Sequence, residues 1–231
     1  MSEHIFSSYE FWEPFLLTLK LALITTIFLF IIGVPLAYYL VFSRNRFISI
    51  IEALVAMPLV LPPSVLGFYF LLAFSQDGFL GGVWKELFGH QLAFHFEGLV
   101  IGSIVFSLPF MVHPILAGLK GVDTNQIEAS YTMGKSRLAT LLKVILPTIK
   151  PSLIAGGVIS FAHTVGEFGV VLMIGGNIDG ETKVVSIAIY DQVETLNYIV
   201  AHAYSLILFI FSFAVLWFVY LKTNKHRLGG L

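Results

Sequence analysis

Few side chains in this 231-residue chain could do chemistry, and the sharpest of them lie inside apolar sequence. Glu167 and His163 are four residues apart in an otherwise uncharged run, so one continuous helix would stack them on a single face. Such a pair could ligate a metal if His113 or His202 joined it from other segments. That is the remote alternative of an intramembrane metalloenzyme. Against it, no second His/Glu pair has ligand spacing and no H-E-x-x-H run occurs. The chain has no Cys, which excludes disulfides, thiolate nucleophiles and thiolate metal sites. No G-x-x-x-x-G-K-[ST] run occurs either, so the chain has no P-loop for ATP, and no cofactor is expected. An ionisable group at membrane depth costs about 2.5–3.5 kcal/mol on insertion scales, so Glu167 should face a cavity or a partner rather than lipid. A carboxylate repels an oxyanion. Glu167 therefore reads as a gate or a hydrogen-bond acceptor with His163 as its expected partner, unless the outer interface solvates it.

The elements that must position these groups follow from composition. Hydrophobic residues make up 57% of the chain, charged residues only 12%, and Phe alone contributes 22. Charge is about half of what a soluble domain carries, and mean hydropathy is +0.89. A soluble fold could not hide this much apolar surface, so the solvent is a bilayer. The net charge of -1 gives no attraction to nucleic acid. Long apolar runs without alternation predict an all-α polytopic membrane protein. About five spans are expected at 16–43, 53–75, 98–119, 151–174 and 198–221, with a sixth conceivable in the outer stretch before the last. The acidic leader, with Glu3, Glu10 and Glu13, argues against a cleaved signal peptide.

Lys and Arg set the orientation. Arg44, Arg46, Lys120, Lys135, Arg137, Lys143, Lys150, Lys222, Lys225 and Arg227 fall on one side, and only Lys20, Lys85 and Lys183 on the other. The N-terminus is expected outside and the C-terminus in the cytoplasm. Pro58, Pro62 and Pro63 interrupt the second span and Pro109 and Pro114 the third, which suggests either pathway-lining hinges or static kinks. Gly156, Gly157, Ser160, Gly166 and Gly169 in the fourth span allow close helix contact, across a subunit interface or within one chain. No Lys or Arg lies inside the later spans, so only hydroxyls such as Ser107, together with His113 and His163, could meet an anion. The pathway reads as a low-affinity conduit.

The inner loop, 120–150, looks structured. Asp123 with Gln126 fits a capping box that starts a helix through Met133, and Gly134 suits its left-handed cap. Ser136 can cap a second helix whose Leu138, Leu141, Leu142 and Ile145 share one face, with Pro147 ending it.

Within this loop, Glu128-Ala129-Ser130, three residues, Gly134, nine residues and then Val144-x-Leu146-Pro147 resembles the EAA loop of ABC importer permeases. Ser130 and Val144 are small departures that keep the spacing. Gly166-Glu167-Phe168-Gly169 with Gly176-Asn177-Ile178 and Gly180-Glu181-Thr182 resembles the molybdate permeases, with the sulfate and tungstate permeases close relatives. The resemblance implies a single permease domain over 1–231 with the type I ABC importer fold in the cytoplasmic inner membrane. It implies a homodimer of permeases, two copies of a separate ATPase subunit that hydrolyses ATP, and an external periplasmic molybdate-binding protein. The substrate would be molybdate, with tungstate or sulfate as alternatives. Glu128, Ala129, Ser130, Gly134, Val144, Leu146 and Pro147 would form the coupling helix and its turn. Glu167, His163, Gly166, Gly169, Ser107 and His113 would be pathway or gate candidates.

Overall fold

The computed structural model describes residues 9–228, with side chains described through Trp217. Glu3 and the side chains of Lys222, Lys225 and Arg227 therefore lie outside the described residues. Among the described residues every regular element is helical. Three helices are long and apolar enough to cross a membrane alone: α1 (Tyr9–Phe42), α5 (Phe96–Lys120) and α12 (Tyr198–Leu228, its apolar window ending at Trp217). Counting bent helix pairs as single spans raises the number to as many as five.

The breaks have chemical causes. In the second apolar run, α2 (Ile48–Ala56) passes through a tight turn at Met57–Leu59 and resumes as α3 (Pro63–Phe74), with a bend of 108°. Pro62 and Pro63 carry no amide proton, so the carbonyls one turn earlier lose their helical donors. Pro63 sits in the first turn of α3, where its missing N–H matters least. By contrast, Pro109 and Pro114 leave α5 continuous. The fourth run is also discontinuous. It comprises α9 (Lys150–Val165), a non-helical step through Gly166, Glu167 and Phe168, and α10 (Gly169–Gly175).

Helix α5 sits at the centre and packs against α1, α9 and α10. Two apolar clusters lie along it. Leu29, Leu40, Met111, Ile115 and Ile145 form the one toward the inner loop. Leu21, Phe74, Leu99, Ile174 and Ile187 form the one toward the other face. The small residues of α9 are used inside the chain. A side-chain carbon on Gly156 would lie 3.0 Å from the Met111 carbonyl oxygen, and one on Gly157 would lie 2.6 Å from the Phe30 ring. The glycine pair thus serves close packing of α9 on α5 and α1. Two amphipathic helices, α4 (Phe79–Phe88) and α11 (Val185–Glu194), occupy the long connections. Thr18 on α1 accepts the Val185 amide at 2.9 Å and so caps α11 from a residue far away in sequence.

Candidate functional site

The 120–150 loop folds as two short helices that meet at a tight turn. Helix α6 (Thr124–Thr132) is capped by the Asp123 carboxylate, which accepts the Asn125 amide at 2.9 Å. The cap is where the sequence puts it, but the bond goes to Asn125 rather than to Gln126. Gly134 follows with φ +77°, the left-handed geometry expected of it. A Cβ there would meet nothing within 4 Å, so backbone conformation alone favours glycine. Ser136 then accepts the Ala139 amide at 3.2 Å and opens α7 (Arg137–Thr140).

The expected single apolar face does not form beyond this point. Residues Leu141–Ile145 adopt a π turn, and α8 (Leu146–Thr148) runs through Pro147 instead of stopping at it. The wider turn shifts the helical phase. Ile145 becomes buried at 1% exposure, whereas Leu138 stays 65% and Leu142 54% exposed. The chain then bends by 74° into α9. The outcome is a shelf presenting Glu128, Ala129, Met133, Leu138 and Leu142 outward. Ser130 points the other way. It is buried and bonds the equally buried Thr140 hydroxyl at 2.9 Å, which ties α6 to α7. The spacing of the motif gave no hint of this pair, because the Thr140 hydroxyl lies ten residues on in a separate helix.

Within the apolar helices, polar groups form a seam between α5 and α9. Ser107 Oγ lies 2.9 Å from His163 Nδ1 and 3.1 Å from Thr164 Oγ1. The His163 ring stacks on Phe110 with centroids 3.9 Å apart. Glu167 is 4% exposed, and neither of its carboxylate oxygens has a hydrogen-bond partner among the described residues. The expected His163–Glu167 pair is therefore absent. Helix α9 ends at Val165, the i, i+4 register is lost at Gly166, and His163 turns to Ser107 instead. Ser103, Ser160 and Thr25 also bury hydroxyl oxygens without a side-chain partner. His113 is exposed on α5 and makes no bond to this seam among the described residues. No group of three or more His, Cys, Asp or Glu that could hold a metal occurs among the described residues.

The break that holds Glu167 is packed against the other break. A Cβ on Gly169 would lie 2.7 Å from Pro63 Cβ, so the start of α10 and the start of α3 touch directly. Further along, α3 and α10 stay in contact through Gly67 and Met173. Gly166 itself is exposed beside the buried carboxylate.

The second motif is a knot of caps and ties at the end of α10. Thr182 Oγ1 donates to the Gly175 carbonyl at 2.7 Å and accepts the Ile178 amide at 3.2 Å. Glu181 accepts the Phe96 amide at 3.2 Å and so caps α5. Asn177 donates to Asp191 at 3.0 Å, and Gly180 takes φ +75°. Lys183 bridges Asp179 at 3.1 Å and Asp191 at 2.8 Å. The hydrogen bond from Lys183 outweighs partial burial and holds the Asp191 carboxyl below its usual pKa. Partial burial opposes the Lys183 charge, but both aspartates overcome it and raise its pKa. A hollow of about 680 Å³ beside this knot is lined by Glu10, Glu13, Asp179 and Lys183. Its three carboxylates, with the lysine already paired, make it a poor receptor for an oxyanion.

This geometry can be set beside known proteins. Residues 16–225 match the family model described as binding-protein-dependent transport system inner membrane component. The molybdenum transport system permease protein ModB of Azotobacter vinelandii is 42% identical over 92% of this chain and 94% of the relative. ModB of Escherichia coli K12 is 34% identical over 80% of each chain. The sulfate transport system permease protein CysT of the same strain is 30% identical over 95% of this chain and 82% of the relative. Among solved structures, a bacterial ABC transporter that imports alginate superposes with TM-score 0.79 over 96% of this chain and 82% of that one, at 18% identity. The MetNI methionine ABC transporter in an inward-facing form gives TM-score 0.68 over 93% of each chain at 20% identity. The fold is that of the type I ABC importer permeases, and the relatives are transport subunits rather than enzymes. The chain belongs to the binding-protein-dependent transport system inner membrane components, as a multi-pass ModB-like permease subunit of an ABC importer.

Proposed function

We propose that this permease carries molybdate inward across the cytoplasmic membrane. Its N-terminus is outside and its C-terminus in the cytoplasm, and it crosses the membrane about five times. The identity to molybdenum permeases over nearly the whole chain carries this reading. Tungstate and sulfate are the competing substrates, the latter because a sulfate permease is also a relative.

Two copies of the chain enclose the pathway, and a separate ATPase binds each shelf. The exposed Glu128, Ala129, Met133, Leu138 and Leu142 form a mixed apolar and acidic surface suited to a groove on that ATPase. Gly134, Val144, Leu146 and Pro147 shape the turn and the link to α9, so movement of the shelf is transmitted into the spans. An external binding protein delivers the anion. The alginate importer among the structural neighbours has been solved with a periplasmic protein bound, which supports that kind of partner. The absence of Lys and Arg from the later spans suits release rather than retention. Glu167, with Gly166 and Gly169 at its hinge, acts as the gate. Ser107 and His163 brace the neighbouring helices, and His113 contributes a polar group nearer the inner side.

The test is reconstitution of the chain with its ATPase and binding protein. Molybdate-loaded binding protein should stimulate ATP hydrolysis several-fold over the unloaded form. Stimulation by sulfate-loaded and not by molybdate-loaded binding protein would overturn the substrate assignment.

A further inference from the structure

Among the described residues, Glu167 is the one Asp, Glu, Lys or Arg buried inside the chain. Its own chain buries it, so no assembly is needed to shield it. Ser103 of α5 bears on the carboxyl, and the Ser103 hydroxyl is itself without a partner among the described residues. The ionisable groups of the surrounding helices are engaged elsewhere. On α9, His163 is turned to Ser107. On α11, Tyr190 packs on Phe168 and donates its hydroxyl to Glu194. On α5, Glu97 lies 3.9 Å from His90. On α1, Lys20 sits over the Phe96 ring and Glu13 lies beside Gly180. Tyr69 of α3 and His202 of α12 are exposed. An ionised carboxylate buried without a cation or a set of donors is far costlier than the neutral acid. This environment therefore holds the acid form.

The carboxyl also sits on a segment able to move. Gly166, Glu167 and Phe168 interrupt the helical ladder between α9 and α10. A few contacts hold the step in place. The Glu167 carbonyl accepts the Ser186 hydroxyl of α11 at 2.6 Å, the Phe168 ring packs on Tyr190, and Gly169 lies against Pro63 of α3. Gly166, the adjacent residue, is exposed. A rearrangement of this step is therefore enough to bring the carboxyl to water.

We propose that Glu167 is a proton-binding site coupled to the α9–α10 step: it carries a proton while the step is packed as in this structure and releases it when the step opens. On opening, the O–H bond breaks, the electron pair stays on the carboxylate and the proton passes to water. Closing takes a proton up again, so higher pH favours the open step. The inference deepens the gate role given to Glu167 above and rests on the permease reading.

Infrared difference spectroscopy on the assembled transporter in lipid nanodiscs reads this proton directly. Near neutral pH, the resting wild type should show the carbonyl stretch of a protonated carboxyl, lost in E167Q and shifted in S103A. S103A keeps the carboxyl, so it identifies the band even where E167Q does not assemble. Trapping the ATPase with ATP and vanadate, with loaded binding protein present, should deplete the band and raise carboxylate absorption. Absence of a protonated-carboxyl band sensitive to either substitution would overturn the inference, as would a band that trapping leaves unchanged. ATPase binding and stimulation are scored on the same sample. If they persist while the band is missing, only the proton assignment fails. If the chain couples to no ATPase, the permease reading fails with it.

Discussion

Ser130 and Thr140 bury their hydroxyls against each other at 2.9 Å, one on each helix of the inner shelf. Removing one partner leaves the other buried and unpaired, which costs about 1–3 kcal/mol, whereas removing both is closer to neutral. S130A and T140V should each lower the thermal stability of the purified permease, and the double variant should restore part of the loss. Strictly additive losses would show that the pair is not coupled. Glu167 makes a second case. Its chemistry was legible as a lone carboxylate in apolar sequence, but the loss of its expected partner was not, because the helix that would have delivered His163 ends at Val165. Glu167→Gln keeps the shape and removes the ionisable carboxyl. Transport should change several-fold while anion affinity of the separate binding protein stays the same. Wild-type uptake by this variant would take Glu167 out of the mechanism.

At the scale of elements, local signals read well and long-range ones did not. Asp123, Gly134 and Ser136 act within a few residues of themselves, so cap and turn chemistry announced them. The π turn at Leu141–Ile145 has no such local marker. It splits a face that periodicity alone would keep whole, burying Ile145 and leaving Leu138 and Leu142 exposed. The Thr18 cap on α11 and the Glu181 cap on α5 join residues far apart in sequence, so only the folded chain reveals them. Gly134 has open space around it, so its substitution tests backbone alone. A left-handed residue with a Cβ costs about 1–2 kcal/mol, and Asn is better tolerated. G134V should lose most of the ATPase that co-purifies with wild type, and G134N should keep most of it. Equal losses would point to side-chain contact instead of backbone strain.

The Asp179–Lys183–Asp191 tie has a predictable pH range. Asp191 has a depressed pKa, so its contribution is present above about pH 3.9 and fades as pH falls through the folded value. Lys183 has a raised pKa, so its contribution is present below about pH 10.4 and fades as pH rises through the folded value. Amide exchange in the loop before α11, corrected for intrinsic rates, should therefore show constant protection from about pH 5 to about pH 9. Loss of protection near neutral pH would contradict the ion-pair account.

For the whole molecule, hydropathy made the membrane class plain, because 57% hydrophobic residues with 12% charge leave no soluble option. What hydropathy could not convey is that two apolar runs are broken and that the breaks touch. Pro62 and Pro63 marked one of them, but contact with Gly169 is a tertiary fact. The scarce charge also has a distribution. The cations of the 120–150 loop frame the shelf, while the helices behind it hold a Ser, Thr and His seam with one carboxyl group at a hinge. On the proposed reading, that arrangement suits passage of an anion handed over by another protein. The most direct test is uptake of radiolabelled molybdate by vesicles holding the permease and its ATPase, with binding protein outside and ATP inside. Uptake should require ATP and should fall with excess unlabelled molybdate far more than with equal sulfate. Uptake without ATP, or displacement by sulfate as effective as by molybdate, would contradict it.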